Sequence, residues 1–179
     1  DAGGFGVGQP LLPSRMEKGL PIGYFYGYKT DGIFQNQAEI AAHPSQAALG
    51  AATAPGDIRF KDINGDNVID SKDRAYIGDP VPSVIMGLNV TLNYKNLDFL
   101  AYAYASIGND MVRNYERTLT DVNRSNYVLG RWTGEGTSNT VPRVTTGATN
   151  NNLFSDYYVE DASFVRIQNV QLGYTLNKT

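Results

Sequence analysis

Six residues between positions 62 and 73 carry oxygen at the spacing of a calcium loop. Asp62, Asn64, Asp66, Asp70 and Asp73 stand at loop positions 1, 3, 5, 9 and 12. Val68, at position 7, would add its backbone carbonyl. Calcium chemistry wants this spacing because a tight loop must turn several hard oxygens onto one cation. Ile69 at position 8 would pack inward and anchor the loop. Asn67 holds position 6, where glycine is usual, and asparagine tolerates the left-handed backbone needed there. Asp73 is shorter than the glutamate usual at position 12, so its two-oxygen grip would be weaker. The same residues also read as an acidic surface loop closed by side-chain-to-backbone turns without metal, and that alternative stays open. A carboxylate pair for glycoside hydrolysis fits poorly, because such a turn lacks the apolar pocket that raises a catalytic acid's pKa.

Other chemistry is sparse. Tyr102, Tyr104 and Trp132 are candidates for a sugar-stacking surface, although aromatic residues also serve as interfacial girdles and loop packing. With one histidine, His43, and no cysteine, a Ser-His-Asp triad, a multi-His zinc site and a thiolate site are all disfavoured. Gly3, Gly4, Gly6 and Gly8 suggest a phosphate loop, but no strand precedes them and no Lys-Ser/Thr follows. The net charge of −3 leaves no basic footprint for nucleic acid.

The elements that must position these residues are strands. The 179 residues are 18% charged and rich in Gly, Asn, Thr and Tyr, a mix suited to strands, turns and long polar loops. Residues 1–20 read as a loose entry segment. Residues 21–30 alternate as a strand, and 36–42 predict a short helix ended by His43-Pro44. The clearest pattern lies at 83–94, where Val84, Met86, Leu88, Val90, Leu92 and Tyr94 share one face, with Ile85 the exception on the other. Lys95-Asn96 turns the chain into 97–108, which sets Leu97, Phe99, Ala101, Ala103, Ala105 and Ile107 on one face. Residues 109–162 lose all regularity, which is unusual inside a compact domain and ordinary for an outer loop of a large barrel. A last strand spans 163–176. Arg166 and Gln168 fall on its apolar parity, which predicts that the strand leaves the membrane there.

These segments, in order, resemble the C-terminal barrel region of the SusC/RagA family of TonB-linked outer-membrane transporters. The matching runs are 21–35 (PIGYFYGYKTDGIFQ), 55–66 (PGDIRFKDINGD), Asp73-Arg74 and 77–80 (IGDP). After them come 94–98 (YKNLD), 108–110 (GND), Arg131-Trp132 and 159–174 (VEDASFVRIQNVQLGY). Asn67 and Ala162 depart from the family, which more often has glycine at both positions.

The resemblance implies an all-β piece of a large, plugged transmembrane barrel in the cell outer membrane, with 21–179 supplying about four antiparallel strands and long extracellular loops. It implies import of glycans or peptides with a SusD-like surface lipoprotein as lid, energy from TonB, contact with outer-membrane lipid, and no catalytic residue. Short turns face the periplasm in such barrels and long loops face outward. The Lys95-Asn96 turn is then periplasmic, and 31–82 and 109–162 are extracellular. Val84, Leu88, Val90, Leu92, Phe99 and Ala103 would face lipid, and Asn89, Thr91, Asn93, Tyr102 and Tyr104 the lumen. The alternative is a soluble, calcium-stabilised β-module of an adhesin or carbohydrate-binding protein.

Overall fold

A computed structural model describes residues 14–113 and 125–176. The entry segment up to residue 13, with its four glycines, lies outside the described residues, as does 114–124 of the long loop. The chain divides into two compact units, one built from 1–78 and 112–160, the other from 79–111 and 161–179. Its strands are β1 (Ser14–Arg15), β2 (Tyr24–Tyr28), β3 (Thr30–Ile33), β4 (Ile58–Phe60), β5 (Arg74–Gly78), β6 (Val84–Tyr94), β7 (Leu97–Ile107), β8 (Asp110–Val112), β9 (Val159–Asp161) and β10 (Phe164–Tyr174). Strands β8 and β9 lie where the chain passes between the units. The helix α1 (Gln37–Ala42) is capped by Asn36, whose side chain accepts from the Glu39 amide, and ends at His43 before Pro44. No helix among the described residues is long and apolar enough to cross a membrane.

The second unit is an open antiparallel sheet in the order β10–β7–β6, each strand 11 residues long. That matches the roughly 9–11 residues of a tilted membrane-crossing strand. Lys95 takes φ 54 in the hairpin turn, and the Asn96 carbonyl accepts from Thr175 N–H at 2.8 Å, tying β10 to the same end. The β6–β7 register pairs Val84 with Ile107, Leu88 with Ala103, Val90 with Ala101 and Leu92 with Phe99, which puts the apolar residues of both strands on one face. Ile85 sits on the opposite face, across from Ser106.

Strand β10 overturns one expectation. Its register against β7 shifts between Ile167 and Asn169, so Gln168 bulges out unpaired. The extra residue exchanges the two faces along the strand. Val165 and Ile167 therefore join Val170, Leu172 and Tyr174 on the apolar face, while Arg166 lies opposite Tyr104 on the polar one. The sign that the strand leaves the membrane at Arg166 therefore disappears, since Arg166 is not on the apolar face. Its apolar face continues, with Val165 and Leu172 each 72% exposed. The outer edges of β6 and β10 have no strand partner among the described residues, and three strands do not close a barrel.

The first unit corrects two further expectations. Residues 21–30 do not form a membrane-length strand. Strand β2 is five residues long, pairs with β1 and β5, and buries both faces, because Tyr24, Tyr28 and Phe25 all turn into packing. The described part of the 109–162 loop is not structureless either. Short 3₁₀ turns at Asn126–Gly130, Asn150–Asn152 and Asp156–Tyr158 fold it onto the 31–78 connection. The core that results holds Tyr28, Ile58, Phe60 and Ile69, with Leu49, Leu153 and Tyr157 against it. Regular periodicity fails here because the backbone is satisfied by side chains and turns instead of ladders.

Candidate functional site

Ile69 is fully buried in that core and anchors the acidic loop, as position 8 predicts. The loop is pinned from the other side by Ser45, whose N–H donates to the Asn67 carbonyl and whose carbonyl accepts from Ile69. Asn67 adopts φ 63, the left-handed conformation expected at position 6. The Asp62 carboxylate accepts from the Gly65 and Asn67 amides, each at 2.7 Å. Asn64 Oδ1 accepts from Asp66 N–H at 2.9 Å, and Asp66 Oδ1 from Val68 N–H at 3.0 Å. Asp70 caps the short turn Ser71–Asp73 by accepting from Lys72 N–H at 2.7 Å.

Asp73 is the innermost of the set and has no exposed surface. Its Oδ2 accepts from Asp70 N–H at 2.7 Å, and its Oδ1 from Ile63 N–H at 2.9 Å and Asn64 N–H at 3.4 Å. Burial pushes its pKa up, but the backbone amides of Asp70, Ile63 and Asn64 outweigh that and hold the carboxyl below its ordinary value of 3.8. The six positions thus share one loop, stitched by Asx turns. Among the described residues no three acidic or histidine side chains converge as metal ligands. Each carboxylate oxygen has two lone pairs, so an amide bond leaves room for a cation at Asp62 and Asp66, whereas Asp73 is fully buried and both lone pairs of its Oδ1 are taken by amides, which leaves one open position on Oδ2.

The structure brings forward residues that sequence reading passed over. Asp57, only 3% exposed at its side chain, accepts from Arg143 Nε at 2.7 Å and Nη2 at 3.1 Å. It also accepts from Ala54 N–H at 2.8 Å and Asn151 Nδ2 at 3.0 Å. Gln46 donates to the Ile58 carbonyl and accepts from Phe60 N–H, taking over backbone groups of β4. Asn150 and Asn151 bond the Ala51 and Ile58 amides at 3.1 and 2.8 Å. Asp57 and Arg143 lie 86 residues apart, so no local spacing could mark them.

The aromatic candidates part company. Trp132 belongs to the loop unit, where Gly56 leaves room for its ring and its Nε1 donates to Gln35 Oε1 at 3.2 Å. A Cβ on Gly56 would collide with Trp132 and Arg143, so indole, glycine and guanidinium form one packed joint. Tyr102 and Tyr104 belong to the sheet unit, half-buried on its polar face. Asn89 and Asn169 flank Tyr102, and Arg166 stands beside Tyr104, whose ring lies 5.9 Å from that of Phe164.

Comparison with known proteins adds the following. The chain is 34% identical, over 90% of its length, to the TonB-dependent receptor P3 of Formosa agariphila. It is 34% identical, over 65% of its length, to the TonB-dependent receptor SusC of Bacteroides thetaiotaomicron. It spans 16% of the first relative's length and 11% of the second's. A chain in the solved RagAB peptide importer, in its open-open state, shares the fold with a TM-score of 0.63 at 21% identity, covering 96% of this chain and 18% of that one. No family model matches the chain.

Proposed function

The chain belongs to the SusC/RagA-type TonB-dependent receptors, and from that membership we propose that the protein carrying it imports oligomeric nutrients, glycans or peptides, across the outer membrane. A SusD-like surface lipoprotein serves as lid and TonB supplies the energy. The observation that carries the reading is the sheet of three 11-residue strands with one continuous exposed apolar face and one polar face. The apolar face meets lipid and the polar face, with Asn89, Thr91, Asn93, Tyr102 and Tyr104, lines the lumen. The chain's part is wall and outer loop, with no catalytic role. The Lys95-Asn96 turn lies on the periplasmic side, so 31–82 and 109–162 lead outward.

The rival, a soluble β-module, would leave that apolar face in water, where a patch of this extent drives association. Deleting the gene tests the import reading. Growth on the oligomeric nutrient should stop while growth on its monomers continues, and purification of the receptor from membranes should bring a surface lipoprotein with it. Normal growth of the deletion strain, or recovery of the protein as a detergent-free monomer, would overturn it.

For the acidic loop we propose a structural calcium clip of the weak, millimolar class found in extracellular modules. Support comes from the oxygen spacing, the φ of Asn67 and the free lone pairs on Asp62 and Asp66. The buried Asp73, with three amides already on its carboxylate, argues for weak binding. Calcorimetric titration of the detergent-solubilised receptor with calcium should give heat that Asp62→Asn/Asp66→Asn removes. Absence of binding at millimolar calcium would leave the loop as an Asx-turn clip without metal.

A further inference from the structure

Among the described residues, Asn67 and Lys95 are the residues other than glycine that take a left-handed backbone. Asparagine tolerates that conformation, and lysine does not favour it. Lys95, at φ 54, fills the first place of the two-residue turn between β6 and β7, where glycine or asparagine is the low-strain choice. Such strain points to a task that glycine could not perform. The Lys95 ammonium lies 5.4 Å from the Tyr94 ring centroid, and Tyr94 is 68% exposed on the apolar face of the sheet. The cation is therefore held toward the outer side of the turn. Among the described residues it takes part in no ion pair. The hairpin's acid, Asp98, stands opposite Asn93 and Gly173 on the polar face.

Register shows what surrounds that cation. Tyr94 and Tyr174 both stand opposite Leu97, so two tyrosines close the apolar face at the hairpin end. At the far end the β6–β7 pair is Val84 and Ile107, with no aromatic ring. From Val84 to Tyr94 the strand rises about 34 Å at ~3.4 Å per residue. A tilt of about 40° leaves roughly 26 Å along the membrane normal, the height of an apolar barrel band. The tyrosine row therefore falls at the edge of the hydrocarbon, where a ring with a polar tip is best placed. Lys95 lies one residue further, among the headgroups, where its uncompensated charge attracts an anion. We propose that Lys95, flanked by Tyr94 and Tyr174, holds the phosphate of a phospholipid in the leaflet on the hairpin side. The acyl chains then lie along Leu92, Phe99 and Leu172, the next row of the same face. The site rests on the membrane placement of the sheet given above.

The test reconstitutes the full-length receptor in bilayers of dioleoyl phosphatidylcholine and of dioleoyl digalactosyldiacylglycerol. Both lipids are uncharged overall, and only the first carries phosphate. The Thr175 amide, bonded to the Asn96 carbonyl at 2.8 Å, reports opening of the turn by hydrogen exchange. It should exchange about threefold more slowly in the phosphatidylcholine bilayer, the size of one partly exposed charge contact. Lys95→Gly suits the left-handed backbone, so it keeps the turn, and it should remove the difference between the two bilayers. Lys95→Arg keeps the charge and should keep the difference. Free phosphocholine added to the glycolipid bilayer should not slow exchange, because it lacks the chains that seat the phosphate. Equal exchange of the parent in both bilayers, an unchanged difference in Lys95→Gly, or slowing by free phosphocholine would each overturn the site. Insertion into both bilayers with equal exchange sinks the site alone, while failure to insert into either sinks the membrane placement together with it.

Discussion

Removing the Arg143 side chain should unlock the joint between the 31–78 connection and the 125–160 segment. Asp57 is 3% exposed and Arg143 25% exposed at their side chains, so the pair is largely but not fully shielded from solvent. Breaking a buried pair by deleting one partner costs about 3–5 kcal/mol, because a charge stays behind unpaired. Here three neutral donors remain on the carboxylate, from Ala54, Asn151 and Thr149, and the exposed part of Arg143 is screened. The loss should therefore fall near ~2.5 kcal/mol, equivalent to a roughly 70-fold rise in local opening. Hydrogen exchange on the full-length receptor reads this directly. The Gly56 amide, bonded to the Phe34 carbonyl at 2.7 Å, and the Trp132 amide, bonded to Val141 at 2.9 Å, should exchange faster by about that factor. Amides of β7 should not change. Arg143→Lys keeps the charge but loses the two-pronged contact, so its effect should be about half as large in free energy. Adding Asp57→Asn to Arg143→Ala should recover part of the protection, since a neutral amide needs no cation. Exchange in Arg143→Ala within about twofold of the parent, or faster exchange in β7 to the same degree, would refute the assignment of Asp57–Arg143 as a local lock.

Three further outcomes follow from the same structure. Leu88→Arg on the apolar face should destabilise the membrane-embedded barrel by ~2–4 kcal/mol in a refolding titration, whereas Thr91→Arg on the polar face should cost far less. Deleting Gln168 should leave Val165 and Ile167 on the apolar face, because Ile167 and Asn169 then alternate against Ala103 and Tyr102 without a bulge, so this variant and Gln168→Ala should both assemble into the outer membrane, and failure of the deletion variant to assemble would refute the register. Asp73 contributes stability at neutral pH because folding lowers its pKa. That contribution should be lost as pH falls below 3.8 and through the lower folded value, and Asp73→Asn should flatten this part of the pH dependence of loop exchange.

Much of this protein was legible in its order of residues. The period-two pattern at 83–94 and 97–108 determined the hairpin, its turn and the membership of its two faces, because alternation in a strand is a local geometric property. Asn36 and Pro44 likewise bounded the helix, and the loop spacing at 62–73 anticipated Ile69 as anchor and Asn67 as the left-handed residue. What the pattern could not contain is pairing. The Gln168 bulge exists only against β7, so the sequence alone placed Arg166 with the apolar residues, and only the register returned it to Tyr104's face. The YFYGY run at 24–28 has the same alternation as a membrane strand, yet both of its faces are buried by neighbours that no window includes. The long loop looked irregular because its order depends on Asp57, Arg143, Asn150 and Asn151 meeting across some 90 residues of chain. Local sterics set the faces and turns. The satisfaction of buried polar groups by distant partners decided where those faces went.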